Sequence, residues 1–103
     1  PAKVRQALMG GFASSKILEV HGERMIKRTF NPGFRIELHQ KDLNLALSTA
    51  HKLGVSLPNT ASCQQLFNVC GALGGARWDH SGLVRALEHM AGHAIGDQPA
   101  AKA

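Results

Sequence analysis

Apolar positions in this chain recur at three- and four-residue steps, and no stretch alternates in twos for long enough to make a strand. That spacing predicts five helices. The first covers roughly Ala2–Met9, with Val4 and Leu8 four apart. It lacks a capping residue and stops at Gly10-Gly11. The second runs about Ser15–Lys27 behind a Ser14 or Ser15 cap. Ile17, Leu18, His21 and Met25 form its stripe, and Glu23–Lys27 is a favourable i,i+4 pair. Asn31-Pro32-Gly33 then breaks the chain as a turn. The third helix runs about Phe34–Leu53 and ends at Gly54. The fourth begins after Pro58, with Asn59 or Thr60 as cap, and ends at Gly74-Gly75. Its apolar set is Ala61, Leu66, Phe67, Val69, Cys70 and Leu73. The fifth starts at Asp79 or Ser81 and ends near Gly92, with Leu83, Val84, Leu87 and Met90 inward. The scattered Met9, Met25 and Met90 read as core filling.

The third helix carries more apolar surface than one core face requires. Ile36, Leu43, Ala46, Leu47, Ala50 and Leu53 share an arc of about 120°, an ordinary core stripe. Glu37, Gln40, Asn44, Ser48 and His51 fall on a solvated arc. A separate facet remains: Phe34, Leu38 and Leu45, within about 40° of one another. Lys41 flanks it on one side and Asp42 on the other. The facet either packs on the second helix or forms half of a ligand site. In the second case Lys41 holds an anionic group and Asp42 orients a donor. The pattern alone leaves both open.

Composition narrows the class. The chain has 103 residues, enough for one domain with one modest core. Ala and Leu number 26 against 12 for Val, Ile and Thr together, with no Tyr and one Trp. That balance favours an all-α fold, a compact bundle of about five helices over residues 1–95. Residues 96–103 lack periodicity and are expected to be a disordered tail. The net charge of +5 lies wholly in residues 1–41, where eight basic residues face three acidic ones. A basic helical nucleic-acid module is one reading of that charge. Against it, the amide-rich fourth helix (Asn59, Gln64, Gln65, Asn68) has no Lys or Arg. A small anionic partner fits the charge as well.

Cys63 and Cys70 are too far apart on one helix, about 10 Å of rise, to form a disulfide, and they read as reduced and packed. Nothing resembles a membrane span or a secretion signal, so a cytoplasmic protein is expected. His89 and His93, with His80, could in principle ligate a metal, but no third ligand has a fixed spacing, and no metal site is expected. Ser14 and Ser15 are better caps than nucleophiles.

The stretch His39-Gln40-Lys41-Asp42-Leu43-Asn44-Leu45-Ala46 resembles the "KDLxLA" motif of the β-hydroxyacid dehydrogenases. Gly10-Gly11-Phe12-Ala13-Ser14-Ser15, Asn31-Pro32-Gly33-Phe34 and Leu57-Pro58-Asn59-Thr60 are similar to one branch, the tartronate semialdehyde (2-hydroxy-3-oxopropionate) reductases. The likeness runs from about Ala2 to Met90. It implies a C-terminal helical domain of the kind found in 6-phosphogluconate dehydrogenase-like reductases, working with an N-terminal Rossmann domain. It implies NAD or NADP as cofactor, a small hydroxy or oxo acid as substrate, and a homo-oligomer. A 3-hydroxyisobutyrate dehydrogenase-like member of the family is the neighbouring alternative. By motif, Lys41 and Phe34 correspond to cofactor-contacting positions, and Asp42 to a supporting catalytic position.

The departures from that family are equally informative. The chain has no Gly-x-Gly-x-x-Gly after a strand to cradle dinucleotide phosphates. Nor does it have the glycine-rich segment whose lysine serves the family as general acid; Lys3 lacks those glycines. The Rossmann domain is therefore absent from this sequence, and the chain alone is expected to be inactive.

Overall fold

Residues 1–95 are described by a computed structural model, and the expected tail lies outside them. Five α-helices follow in order: α1 (Ala2–Met9), α2 (Lys16–Lys27), α3 (Ile36–Leu53), α4 (Pro58–Ala72) and α5 (Val84–Ala91). A short 3-10 turn, His80–Leu83, leads into α5. The fold is all-α as expected. Among the described residues the nearest thing to a sheet is an isolated antiparallel bridge between Arg35 and Asp79.

Local chemistry sets most of the boundaries. Ser15 caps α2, its Oγ accepting from Leu18 N at 2.9 Å. Gly54 and Gly92 end α3 and α5 in the left-handed region, at φ 69° and 63°. Three boundaries differ from expectation. α3 begins at Ile36 because Ile36 N and Glu37 N donate to Trp78 O and Ala76 O, both at 2.9 Å. The 76–78 segment thus satisfies the first N–H groups of the helix and holds Arg35 extended. Phe34 consequently lies in the loop rather than on the helix. α4 starts at Pro58 itself, with Leu57 before it and no side-chain cap. Proline suits the first helical position because its fixed φ is already helical and it has no N–H to leave unpaired. α5 is preceded by the 3-10 turn, which Asp79 caps by accepting from Ser81 N at 3.0 Å.

The core is small. Ile36 of α3, Phe67 and Cys70 of α4 and Ala86 of α5 form its centre, with Leu43, Leu66, Trp78 and Leu83 packed around it. The expected α3 stripe is narrower than drawn, since Ala46 and Leu53 are exposed. Ile17 of the α2 stripe is exposed as well. The α3–α4 seam is partly polar. Gln40 Nε2 donates to Asn68 Oδ1 at 2.9 Å, and Gln64 Nε2 to Asn44 Oδ1 at 2.8 Å. Gln40 and Asn44 thus bridge to α4 rather than facing only water, and Gln64 and Asn68 are tied up in helix packing. Cys70 is buried, its Sγ 3.6 Å from Gly82 O, whereas Cys63 is free and exposed rather than packed.

α5 overturns its expected orientation. Leu87 and Met90 are 49% and 66% exposed, while Arg85 and Glu88 are buried. Two interactions turn the helix this way. The Arg85 guanidinium lies 3.7 Å from the Trp78 ring centroid, a cation–π stack. Glu88 accepts both arms of the Arg28 guanidinium at 2.8 Å, and the Ile95 N–H at 2.7 Å. Trp78 in turn lies so close over Gly75 that a Cβ there would meet the ring at 2.2 Å, so only glycine fits.

Candidate functional site

The second facet of α3 is not packed on α2. Leu45 is 61% exposed and Phe34 38% exposed, and Lys41 and Asp42 on either side are exposed too. Lys41 and Leu45 line a shallow groove along the helix with Glu37, Gln40, Asn44 and Ser48. Among the described residues Lys41 and Asp42 make no ion pair, so both charges are available to a partner. The structure keeps Lys41 and Asp42 adjacent on one turn, but Phe34 stands apart in the loop. Its ring meets His39 and His80 edge to face, with centroids 5.8 and 6.0 Å apart.

A second feature, not anticipated from the sequence beyond a helix cap, lies behind Phe34. Asp79 is fully buried, with 0% exposure. One carboxylate oxygen accepts from Gly33 N at 2.9 Å and Phe34 N at 3.1 Å, and pairs with Arg24 Nη1 at 2.8 Å. The other accepts from Ser81 N and from the Ser81 hydroxyl. Three imidazoles gather beside it: His21 and His80 have centroids 4.3 Å apart, and His39 and His80 5.6 Å. They border a cavity of about 390 Å³ between α2, α3, α4 and the 3-10 turn. Sequence spacing grouped His80 with His89 and His93; the fold instead sets it beside His21 and Asp79, with ligand atoms within 4.8 Å of one another. Both Asp79 oxygens are already engaged by Arg24, by N–H groups and by the Ser81 hydroxyl. Asp79 is thereby the hub of a hydrogen-bond network that ties the loop before α3 to the 3-10 turn.

The electrostatics follow from burial. Burial pushes the Asp79 carboxyl up, but the hydrogen bonds from Ser81, Phe34 and Gly33 outweigh it and hold the group well below the usual carboxylate range. Glu88 is likewise held low, its burial outweighed mainly by the bonds from Arg28 and Ile95. Burial pushes His80 down, and the neighbouring His21 and His39 add to this against the opposing pull of Asp79. The unfolded chain therefore binds protons more readily than the folded one at all three groups. Stability should fall as pH drops below the ordinary histidine range, near ~6.5, and fall again below the ordinary carboxylate range, near ~4. Thermal melts followed by circular dichroism at pH 7.5, 5.5 and 3.5 should show Tm decreasing at each step. A flat Tm would contradict the assignment.

Residues 1–87 match the family described as the NAD-binding domain of NADP-dependent 3-hydroxyisobutyrate dehydrogenase. The chain belongs to this family. Within it, the chain is 73% identical over 95 residues to the 2-hydroxy-3-oxopropionate reductase of Escherichia coli, covering 92% of this chain and 32% of that protein. It is 35% identical over 88 residues to a probable mitochondrial 3-hydroxyisobutyrate dehydrogenase-like protein of Arabidopsis thaliana, covering 85% and 26%. Against the 2-(hydroxymethyl)glutarate dehydrogenase of Eubacterium barkeri it is 31% identical over 96 residues, covering 92% and 32%. The chain thus spans between a quarter and a third of the length of these family members.

Membership in an NAD-binding family makes the nicotinamide dinucleotides the relevant cofactors, and the exposed α3 facet suits part of one. It offers an uncommitted cation, Lys41, beside apolar surface, Leu38 and Leu45, that can take a flat ring or ribose face. No helix among the described residues is long and apolar enough to cross a membrane.

Proposed function

We propose that this chain is the C-terminal helical part of an NAD(P)-dependent 2-hydroxy-3-oxopropionate (tartronate semialdehyde) reductase. The observation that carries this reading is the 73% identity to the E. coli reductase, which runs over 95 residues and so spans the whole α3 facet. The substrate is a small oxo acid, reduced to the hydroxy acid. When bound, the nicotinamide supplies the hydride. This chain supplies position and electrostatics at the edge of the pocket. Lys41 binds a negatively charged or hydroxyl group of the cofactor through a charge-assisted hydrogen bond. Phe34 forms an apolar wall beside the reacting end, and Asp42 orients a donor there as a supporting catalytic residue. A Rossmann domain is the partner that cradles the cofactor phosphates, and a homo-oligomer covers part of the apolar surface left exposed at Val4, Leu53, Val55 and Met90.

The test is a steady-state assay of the full-length enzyme with 2-hydroxy-3-oxopropionate and either NADH or NADPH. The reading predicts turnover with this substrate and a lower kcat/KM for 3-hydroxyisobutyrate in the oxidative direction. A reversed preference would move the protein to the 3-hydroxyisobutyrate dehydrogenase branch. No turnover with either would overturn the assignment.

A further inference from the structure

The Asn31–Phe34 loop poses a physical problem: all four of its residues are exposed, so burial of apolar surface cannot hold it in one conformation. Polar contacts hold it instead, and they converge from a segment 45 residues away. Asp79 accepts from Gly33 N and Phe34 N. Its own N–H donates to Phe30 O at 2.9 Å, and His80 N donates to Phe34 O at 2.8 Å. Arg24, paired with the Asp79 carboxylate through one guanidinium nitrogen, donates to Asn31 O through the other. Every residue of the loop except Pro32 is thereby pinned by Asp79, His80 or Arg24.

We propose that Asp79, with Arg24, is a positioning residue of the reductase: it latches the Asn31–Phe34 loop so that the Phe34 ring is held facing the reacting end of the pocket. The inference rests on the reading of Phe34 as a pocket residue. Two features separate this role from ordinary structural support. The latch grips backbone groups only, leaving the Phe34 ring partly open and braced by just the edges of His39 and His80. And the two oxygens of the buried carboxylate divide the work: Oδ2 caps the 3-10 turn through Ser81, an ordinary structural role, whereas Oδ1 is given to Arg24 and to a loop that contributes nothing to the core. Misplacing a pocket wall by about 1 Å can cost on the order of 10²-fold in rate. The polar contacts to the cofactor are assigned to Lys41 and the Rossmann domain, so a shift of the Phe34 ring at the reacting end bears on turnover more than on cofactor affinity.

The experiment uses the full-length enzyme and two readouts. Amide hydrogen exchange reads the latch itself: in Asp79→Asn, Gly33 and Phe34 should exchange at least tenfold faster, with α3 and α4 amides little changed. Kinetics read its purpose: kcat should fall at least tenfold with the cofactor KM within twofold of wild type. The loss should not multiply with that of Phe34→Ala in the double variant, because both changes remove the same positioned ring. Should Asp79→Asn fail to fold, Arg24→Gln breaks the latch from its partly exposed side and should give the same pattern in smaller degree. Unchanged exchange at Gly33 and Phe34 in the folded variant overturns the latch. Faster exchange with losses that multiply shows that Asp79 does not act through Phe34, and also overturns it. If Phe34→Ala alone leaves kcat and both KM values at wild-type levels, the pocket reading has failed and takes the proposal with it, whatever the exchange shows.

Discussion

Replacing Glu88 with alanine is expected to lower the stability of the fold by about 3–5 kcal/mol, the usual cost of stranding one half of a buried ion pair. The Arg28 and Glu88 side chains are only 6% and 5% exposed, and the pair is bidentate. Loss of the carboxylate leaves the Arg28 guanidinium buried without its counter-charge. It also releases a strained backbone. Arg28 ends α2 at φ 60°, in the left-handed region that non-glycine residues seldom occupy. The pair and the Thr29 N–H bond to Arg24 O, at 3.0 Å, help keep it there. Finally, Ile95 N loses its acceptor, so the chain after α5 comes loose. For a domain whose total stability is about 5–15 kcal/mol, this is a large fraction. Urea denaturation should register it directly. Glu88→Gln, which keeps the shape and one set of hydrogen bonds, should lose less. A cost below about 1 kcal/mol for Glu88→Ala would mean that the pair is no more than an exposed one in effect.

The same pair shows where sequence reasoning stops. Helix spacing placed Leu87 and Met90 inward because apolar residues normally are. The decision was made instead by long-range partners: Arg28 lies 60 residues from Glu88, and Trp78 offers its ring face to Arg85. No local period carries that information. Features decided locally were legible. Ser15 as a cap, Gly54 and Gly92 as left-handed stops, and the all-α class all follow from the chemistry of a few adjacent residues. The α3 facet was legible too, as an apolar strip that the core did not need, although Phe34 stands apart from it in the loop. The hub at Asp79 was legible only as a cap for the last helix. Its contacts to Gly33 and Phe34 exist because the 76–79 segment runs against the start of α3, and nothing in the sequence near Asp79 announces that pairing. For the family, the Lys41-Asp42 motif together with the Gly10–Ser15, Asn31–Phe34 and Leu57–Thr60 segments carried the resemblance, and the family match over residues 1–87 bears it out.

The second large effect concerns the α3 facet and the two exposed charges on it. Lys41 and Asp42 are neighbours in sequence yet about 100° apart around the helix, so each faces a different part of a ligand lying along the facet. The two should therefore fail in different ways. On the proposed reading, Lys41→Ala removes a charge-assisted hydrogen bond to the cofactor. Its expected cost is about 1–3 kcal/mol of binding, roughly 5- to 150-fold in cofactor KM, with turnover at saturation largely kept. Asp42→Asn keeps the size of the side chain but removes the charge that, on the same reading, orients a donor at the reacting end. It should lower kcat on the order of 10²-fold while cofactor KM stays near wild type. Neither residue is buried or ion-paired among the described residues, so both variants should melt with the wild-type protein.

Steady-state kinetics of these two variants in the full-length enzyme, with cofactor and 2-hydroxy-3-oxopropionate varied in turn, is the most direct measurement of the central claim that the α3 facet forms part of the cofactor and substrate pocket. The account predicts a split: cofactor KM rises for Lys41→Ala and kcat falls for Asp42→Asn. Wild-type kcat and KM in both variants would return Lys41 and Asp42 to an ordinary solvated helix face and contradict the account.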